Sequence, residues 1–381
     1  MLGAVALVGA PAAIVVATAG PASADTFTVT TTTDGGSGSL REAIEDLAVN
    51  AGGDTVALQA GATYELTCGE GGDLSHGSTP LIIEGNGATI EQTCAGQRVL
   101  QQGDALLDLE YVTITGGNTD DPGAGVQTSG DLGVHHSTIR DNTTGPLSLG
   151  GGISMLGGEG SALIEDSTLT GNTARNGGAI GVAAGTQVQV VNSTITDNHA
   201  DGGPGTGVGG ALDSNGGGEF VFTYATIVGN TANSGGANLG IGSESDILII
   251  DSVIADGDCS LNGNVVTSAD NVTTETSCGL DDATDTLVTD PMLAALGAYG
   301  GPTLTMAPLA GSPVLDVVPN ADCGAGQDGI TTDQRDFPRP EVADGLCDAG
   351  AVEGVFVPDT PVKPIEPPAA NPIAVTPLFT G

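Results

Sequence analysis

The sequence predicts an all-β protein, a right-handed parallel β-helix with a short N-terminal capping helix and an irregular C-terminal cap. The first observation is a repeated three-residue segment. Consecutive copies begin 25 to 32 residues apart, and the six copies are 112–114, 137–139, 167–169, 193–195, 225–227 and 252–254. A repeat of this length indicates a solenoid, in which each repeat buries its apolar face only by stacking on the next.

The second observation is the pattern inside each repeat. Every copy has an apolar residue five and seven positions before its third residue, as Leu109 and Leu107 show in the first copy. This alternation is typical of a β-strand, and a break in its phase before the three-residue segment predicts a corner. The sequence therefore favours two short strands around a bend in each coil.

The third observation is a set of turn residues at fixed places. Three residues after each segment the inner copies have asparagine, while the first and last have glycine; the asparagines are Asn142, Asn172, Asn198 and Asn230. We expect each Asn to adopt the left-handed backbone of a tight turn and its amide to bond to that of the next coil, forming a turn ladder. Glycine pairs at 151–152, 177–178, 209–210 and 235–236 then fit sharp corners and begin a third strand.

Composition agrees with a solenoid and excludes several kinds of partner. The 381 residues include 63 glycines and no tryptophan, and only 3% are aromatic. The formal net charge is −40, from 47 acidic and 7 basic residues. This balance argues against nucleic acid, whose phosphates need Lys and Arg. It also disfavours anionic membranes, and polyanionic substrates such as polygalacturonate unless calcium is present. A soluble protein of a salty or extracellular setting is the preferred interpretation.

The chain begins with an expected signal peptide, residues 1–24. This stretch has no charge and ends in a small-x-small site, which predicts cleavage before Asp25. The six cysteines suit an oxidising compartment. We therefore expect a secreted or cell-surface protein with no stable membrane span after cleavage.

Residues 25–53 are expected to form an opening strand and a capping helix. Ser39 and Glu42 have the spacing of a capping box, and the apolar residues at 40, 43, 44 and 47 share one helical face. Such a helix would cover the open end of a β-helix. Residues 38–44 closely resemble the N-terminal CSLREA segment of secreted bacterial β-helix proteins, although Gly38 stands where that family has cysteine.

The β-helix itself is expected over residues 54–288. Six cysteines allow 15 pairings, and the favoured ones join sequence neighbours about one coil apart. The favoured pairs are Cys68 with Cys94, Cys259 with Cys278, and Cys323 with Cys347. A structural metal site is the alternative, but the sequence has no Cys-x-x-Cys pair to support it.

Residues 289–356 are expected to form the C-terminal cap. The ordered segments 290–296, 299–305, 309–316, 332–340 and 347–353 resemble the choice-of-anchor Q domain, which follows β-helices in exported bacterial proteins. Ala349 departs from that pattern, where isoleucine is usual. Independently of the resemblance, Arg335 and Arg339 lie close in sequence to four carboxylates, so we expect clamps that tie the segment to the last coil. A lyase-type arginine base is the less favoured alternative. Residues 357–381 contain seven prolines and are expected to be an extended tail.

Carboxylates on adjacent coils are the main candidates for chemistry. Glycoside hydrolysis needs two of them roughly 5–10 Å apart. The candidates by column are Glu165, Asp166, Asp251, Asp256, Asp141 and Asp197. The sequence does not support His135, His136 or His199 as catalysts, and His135 and His136 are expected to face solvent at the corner. Arg140 and Arg175 are the basic residues of the middle coils. No set matches a known catalytic motif, so no catalytic residue is assigned.

Calcium is a separate possibility, raised by carboxylates at 120–121, 281–282 and 285. Their spacing matches no calcium loop, and solvated acidic loops are the preferred interpretation. No cofactor or metal ligand is therefore assigned from the sequence.

Two functions remain. The favoured one is an exported non-catalytic scaffold, acting as an adhesin or as a protein that binds an extracellular glycan or a cell-envelope component. The alternative is a polysaccharide lyase or glycoside hydrolase of the pectin-lyase-like class. Convergent acids with raised pKa values in one groove would favour the enzyme, whereas a flat strip of Thr, Ser and Gly would favour the scaffold.

Overall fold

The computed structural model describes residues 24–48, 52–157, 160–203, 205–280, 282–323, 330–341 and 345–355. The expected signal peptide, apart from its last residue, and the expected C-terminal tail lie outside these residues. Within the described part of the chain, no helix has the length and apolar character that a membrane crossing requires.

The chain forms a parallel β-helix of about nine turns, which confirms the predicted fold class. Its strands belong to three sheets that run along the axis. The major sheet contains Thr26–Thr28, Asp54–Ala57, Thr63–Leu66, Leu81–Gln92, Leu107–Thr115, Leu132–His135, Thr138–Arg140, Ser161–Glu165, Thr168–Thr170, Gln187–Val191, Thr194–Thr196, Gly218–Thr223, Thr226–Val228, Ser245–Ile250, Val253–Ala255, Asn264–Ala269, Val272–Thr273 and Thr286–Leu287. The second sheet contains Leu74–Ser75, Leu100–Gln101, Val126–Thr128, Ile153–Met155, Ile180–Val182, Leu212–Ser214, Leu239–Ile241 and Cys259–Leu261. The third contains Asn118–Thr119, Thr143–Thr144, Thr173–Ala174, His199–Ala200 and Thr231–Ala232.

The register of the major sheet reproduces the sequence columns. Ile139 pairs with Ile114 on one side and Leu169 on the other, and Ile195 continues the same column. These side chains are fully buried, so the apolar columns stack into one core along the axis. The burial of about one aliphatic side chain per column in every coil is the main source of stability.

A ladder of asparagine amides runs through the coils beside this core. Asn142 Nδ2 donates to Asn172 Oδ1 (3.1 Å), Asn172 to Asn198 (3.0 Å) and Asn198 to Asn230 (2.9 Å). Asn238, which the sequence analysis did not include, accepts from Asn230 and ends the ladder. The ladder satisfies polar groups that would otherwise be buried without partners.

The backbone conformation expected for these asparagines was wrong. The left-handed residue is the one before each Asn: Asp141, Gly171, Asp197 and Gly229 have φ between 55° and 69°. The reason is that the Asn side chain points into the coil, where its amide meets the next one. The preceding residue makes the turn on the outside, and Gly or Asp tolerates that conformation.

A second left-handed column explains the phase break between the paired strands of the major sheet. Its members all have φ between 44° and 54°: Tyr111, His136, Asp166, Asn192, Tyr224 and Asp251. We call this row the corner column. It bends each coil and points its side chains outward.

A short helix lies at the N-terminal end of the coils. A π-helix, Glu42–Leu47, follows two helical residues, and Leu40 and Ile44 are buried against the first coil. Ser39 Oγ accepts from Glu42 N (3.1 Å), while the Glu42 carboxylate accepts from Gly38 N, one residue earlier than in an ordinary capping box. Two 3-10 helices, Cys68–Glu70 and Thr276–Cys278, are the other helical elements of the described residues.

All three disulfides join the pairs favoured from the sequence. Cys68–Cys94 and Cys259–Cys278 link successive coils, with Cα atoms 4.9 Å and 4.8 Å apart. Cys323–Cys347 lies inside the C-terminal segment. The described part of the chain has no free cysteine.

The C-terminal segment, the described residues from 289 to 355, lies along the flank of the coils. Three threonines of one column hold it: Thr168 donates to Leu304 O, Thr194 donates to Gln334 Oε1, and Thr226 accepts from Ala351 N. Farther along, its Val314 and Ala349 pack against valines of later coils. The segment therefore lies beside several coils rather than against the last coil alone, because outward threonines of successive coils give it a row of partners along the side.

The two predicted clamp arginines act mainly inside this segment. Arg335 pairs with Asp333, and Arg339 pairs with Glu353 at 3.1 Å. Arg339 also lies 3.9 Å above the centre of the Tyr224 ring, which belongs to the corner column. The clamps thus stiffen an irregular segment, and one of them also contacts the β-helix.

Candidate functional site

A row of ionisable side chains lies on the outer face of the major sheet. Glu84 is the register partner of Glu110, Glu110 of His135, and His135 of Glu165. These four residues, the ionisable ladder, are half-buried and come from four successive coils. Because parallel strands lie about 4.8 Å apart, their head groups repeat at nearly that spacing along the rod.

His135 lies between two carboxylates. Its Nε2 is 3.5 Å from Asp108 Oδ1, and its Nδ1 is 3.2 Å from Glu165 Oε2. Gly133 makes room for this arrangement, since a Cβ at that position would lie 2.6 Å from Asp108 Oδ1. The imidazole therefore bridges the carboxylates of two different coils.

Burial and neighbouring charge separate the pKa values of these groups. Burial raises the pKa of Asp108 and of Glu110. The hydrogen bond from His135 lowers the pKa of Glu165. Burial alone would lower the pKa of His135, but the Glu165 hydrogen bond and the Asp108 charge outweigh it, so the pKa is raised. The neighbouring carboxylates therefore favour the protonated imidazole more than water does for a free histidine.

A second group, at the corner column, touches the C-terminal segment. His136 stacks on Tyr111, with ring centres 4.6 Å apart and an interplanar angle of 14°. His136 Nε2 is 3.1 Å from Asp336 Oδ1 and 3.6 Å from Asp166 Oδ2. We call His136, Asp166 and Asp336 the corner cluster. Burial raises the pKa of Asp166 to about 7.

The expectation that His135 and His136 simply face solvent was wrong. Both are half-buried and paired with carboxylates, because the coil above, the coil below and the C-terminal segment enclose them. His199 is also half-buried but has a different partner: it lies in the third sheet, where its Nδ1 is 2.8 Å from Thr231 Oγ1.

The other carboxylate candidates are not brought together. Asp141 pairs with Arg140 beside it at 2.6 Å, and both Asp197 and Asp256 are exposed. Asp251 belongs to the corner column but lies beside Tyr224, and burial raises its pKa to about 7. Of the six, only Glu165 and Asp166 belong to the site.

Sequence reasoning missed Glu84, Asp108, Glu110, Tyr111 and Asp336. The first three occupy the outward positions of the same columns that were used to recognise the strands, so the repeat contained the signal. Asp336 could not be found this way, because it lies 200 residues from His136 and reaches it only through the C-terminal segment.

The acidic loops considered for calcium use their carboxylates locally. Asp285 accepts hydrogen bonds from Ser268 and Asn271, and Asp121 lies 3.7 Å from Arg98. Asp281 lies outside the described residues. These contacts agree with structural roles for both loops.

The histidine pairing of the site's carboxylates leaves little room for hydrolysis on the outer face of the major sheet. In the described part of the chain, each ion pair made by Asp108, Glu165, Asp166 and Asp336 is with a histidine. The His135 ring also occupies the space between Asp108 and Glu165 that a hydrolytic water would need. Comparison with protein-family models, curated proteins and solved structures finds no match for this chain.

Proposed function

We propose that this protein is an exported, non-catalytic β-helix scaffold that binds an uncharged or amine-bearing glycan of the extracellular or cell-envelope milieu through the ionisable ladder. The observation that carries the proposal is the register of Glu84, Glu110, His135 and Glu165 on four successive coils. A linear ligand lying along the rod would meet a hydrogen-bonding group at each coil.

The charge of the ladder supports a ligand rich in donors. Like charges directly opposite on neighbouring strands destabilise a sheet, and Glu84 faces Glu110 in this way. Ionised carboxylates are pure acceptors, so sugar hydroxyls or ammonium groups would relieve that repulsion. A polyanionic glycan would add to it, which is why the proposal excludes one.

An extracellular setting agrees with the rest of the molecule. Three disulfides staple the coils and the C-terminal segment, and such bonds persist in oxidising compartments. The resemblance of residues 38–44 and 290–353 to segments of exported bacterial β-helix proteins supports the same location and an association with the cell surface.

The alternative is glycoside hydrolysis, and two observations favour it. Burial raises the pKa values of Asp108 and Glu110 on one face, as expected for catalytic acids. Asp108 and Glu165 lie on opposite sides of His135, as an acid and a base of different coils would. The ring between them must then move when a substrate binds. A lyase is less well supported, because Arg140 is already paired with Asp141.

The test uses protein beginning at Asp25 on a glycan array, alongside assays for reducing-sugar and unsaturated-product release, with and without calcium. We expect binding to neutral or amine-bearing glycans and no turnover. Glu110→Gln and Glu165→Gln should each weaken binding about tenfold or more, through loss of a charge-assisted hydrogen bond. Glu219→Gln is the matched control, because Glu219 is exposed on the same sheet but outside the ladder. Turnover on any glycan, or binding that both ladder variants leave unchanged, would overturn the proposal.

A further inference from the structure

We propose that the corner cluster is a binding site for a divalent first-row transition metal ion, with Zn²⁺ as the reference ion, and that the ion fastens the C-terminal segment to the coils. One ligand atom from each of His136, Asp166 and Asp336 lies within 4.8 Å of the other two. The site is separate from the ionisable ladder, so it does not depend on the proposed glycan binding.

The distances suit a shared ion. Two ligands placed roughly 2.0–2.1 Å from a tetrahedral zinc ion lie about 3.3 Å from each other. In the corner cluster the Nε2 of His136 is 3.1 Å from the oxygen of Asp336 and 3.6 Å from that of Asp166. Small side-chain adjustments would bring three ligands onto one ion and leave a further position for water.

The donor set indicates which metals fit. An imidazole nitrogen with two carboxylate oxygens suits Zn²⁺ and its neighbours in the first transition row. Calcium prefers six to eight oxygen ligands, and the cluster offers a nitrogen and only two carboxylates. The site is therefore distinct from the calcium site considered for the acidic loops.

An independent observation points to a missing partner. Asp166 is only 7% exposed, and its Oδ1 accepts no hydrogen bond from any described residue. The oxygen that faces His136 is the other one, Oδ2. A buried carboxylate oxygen without a partner is unfavourable, and an ion held by both oxygens of Asp166 would supply the partner that Oδ1 lacks. The stacking of His136 on Tyr111 restricts the ring, and in this orientation Nε2 faces both carboxylates.

The ligands come from places that an ion would join. His136 and Asp166 belong to successive coils, and Asp336 belongs to the C-terminal segment. All three have left-handed backbones, with φ of 47°, 50° and 65°. Asparagine tolerates that conformation, so His136→Asn and Asp336→Asn remove ligands without forcing the backbone to change.

The experiment titrates chelator-treated full-length protein with Zn²⁺ by calorimetry and follows protection of the C-terminal segment by hydrogen exchange. We expect one ion per chain, and at a zinc concentration of about 100 times Kd a roughly 100-fold lower equilibrium constant for unfolding. Zinc should also slow exchange in the segment 330–341. His136→Asn and Asp336→Asn should each weaken binding about tenfold or more.

His199→Asn is the matched control, since His199 is a half-buried histidine on another sheet, with a threonine as its partner. It should bind zinc as the unmodified protein does. Absence of zinc binding, binding that both cluster variants retain, or binding of calcium in preference to zinc would each overturn the proposal. The fastening role has a separate test. If zinc bound to the unmodified protein at this site but did not slow hydrogen exchange in the C-terminal segment, the ion would not fasten the segment to the coils.

Discussion

Replacing Asn198 with alanine tests whether the amide ladder stabilises the coils. The Asn198 side chain is fully buried. Its Oδ1 accepts from the backbone N and the Nδ2 of Asn172, both at 3.0 Å. Its Nδ2 donates to Asn230 Oδ1 and to the carbonyl oxygen of Leu169. Alanine removes all of these bonds at once.

The expected loss follows from the partners left behind. Asn172 Nδ2 keeps its bond to Ile139 O, and Asn230 Oδ1 keeps the bond from the backbone of residue 198. The backbone N of Asn172 keeps no other described partner for its hydrogen, and an unsatisfied buried donor costs about 1–3 kcal/mol. The small cavity and the lost bond to the Leu169 carbonyl add to this, so we expect a loss of about 3 kcal/mol in the free energy of unfolding.

The assay is urea unfolding followed by far-ultraviolet circular dichroism, comparing transition midpoints at equal slope. Asn233→Ala is the control, because Asn233 is exposed and lies just beyond the third sheet; it should change the free energy by no more than about 0.5 kcal/mol. If Asn198→Ala lowered the free energy of unfolding no more than this control does, the amide ladder would not contribute to the stability of the coils.

Two further predictions concern the core and the response to pH. Ile195→Asp places a carboxylate in a fully buried column and should lower the melting temperature sharply. Val266→Asp is the control, because the Val266 side chain is 57% exposed, and it should leave the melting temperature nearly unchanged. Equal melting temperatures for the two variants would contradict the column assignment. Burial raises the pKa of Asp251 to about 7 and that of Asp213 to about 6, both above the roughly 3.9 of an unfolded chain. Their protonated forms favour the fold, so this stability is fully present below about pH 4 and is lost as the pH rises to about 7. Urea midpoints at pH 5 and pH 8 measure this decrease in stability. Asp251→Asn should make the decrease smaller, and asparagine tolerates the left-handed backbone at this position. If the variant lost as much stability between the two pH values as the unmodified protein, Asp251 would not be a source of the decrease.

The fold could be predicted because every coil of a solenoid needs the same apolar and turn residues at the same positions. Apolar columns, as at Ile139 and Ile195, and the amide ladder repeat at each turn, so six copies of a weak pattern became a strong one. Local pairing of cysteines followed from the same spacing. The position of the left-handed residue in each turn was predicted wrongly. Asn, Asp and Gly all tolerate that conformation, so the sequence does not distinguish Asn172 from Gly171. The burial of the Asn172 side chain leaves the turn to Gly171.

The site could be predicted only in part, for a different physical reason. Glu110, His135 and Glu165 form a ladder that register alone determines, and a systematic reading of the outward columns would have found it. The corner cluster depends on where the C-terminal segment packs, and that segment has no repeat. Its placement results from scattered partners such as Thr168, Thr194 and Gln334, whose separations exceed 130 residues.

The two proposed sites lie on opposite sides of the same corner, and this explains why one short stretch carries both. At His135 and Glu165 the chain is still a strand, so these side chains stand on the sheet face beside Glu110. One residue later the left-handed backbone of His136 and Asp166 turns the next side chain toward the C-terminal segment. Each coil therefore contributes one group to the open face and one to the covered corner. Substitutions at 110 and 165 should affect glycan binding alone, and substitutions at 136 and 336 should affect metal binding alone. Since His135 and His136 are adjacent, a variant at 136 that also weakened glycan binding would show that the corner holds the open face in place.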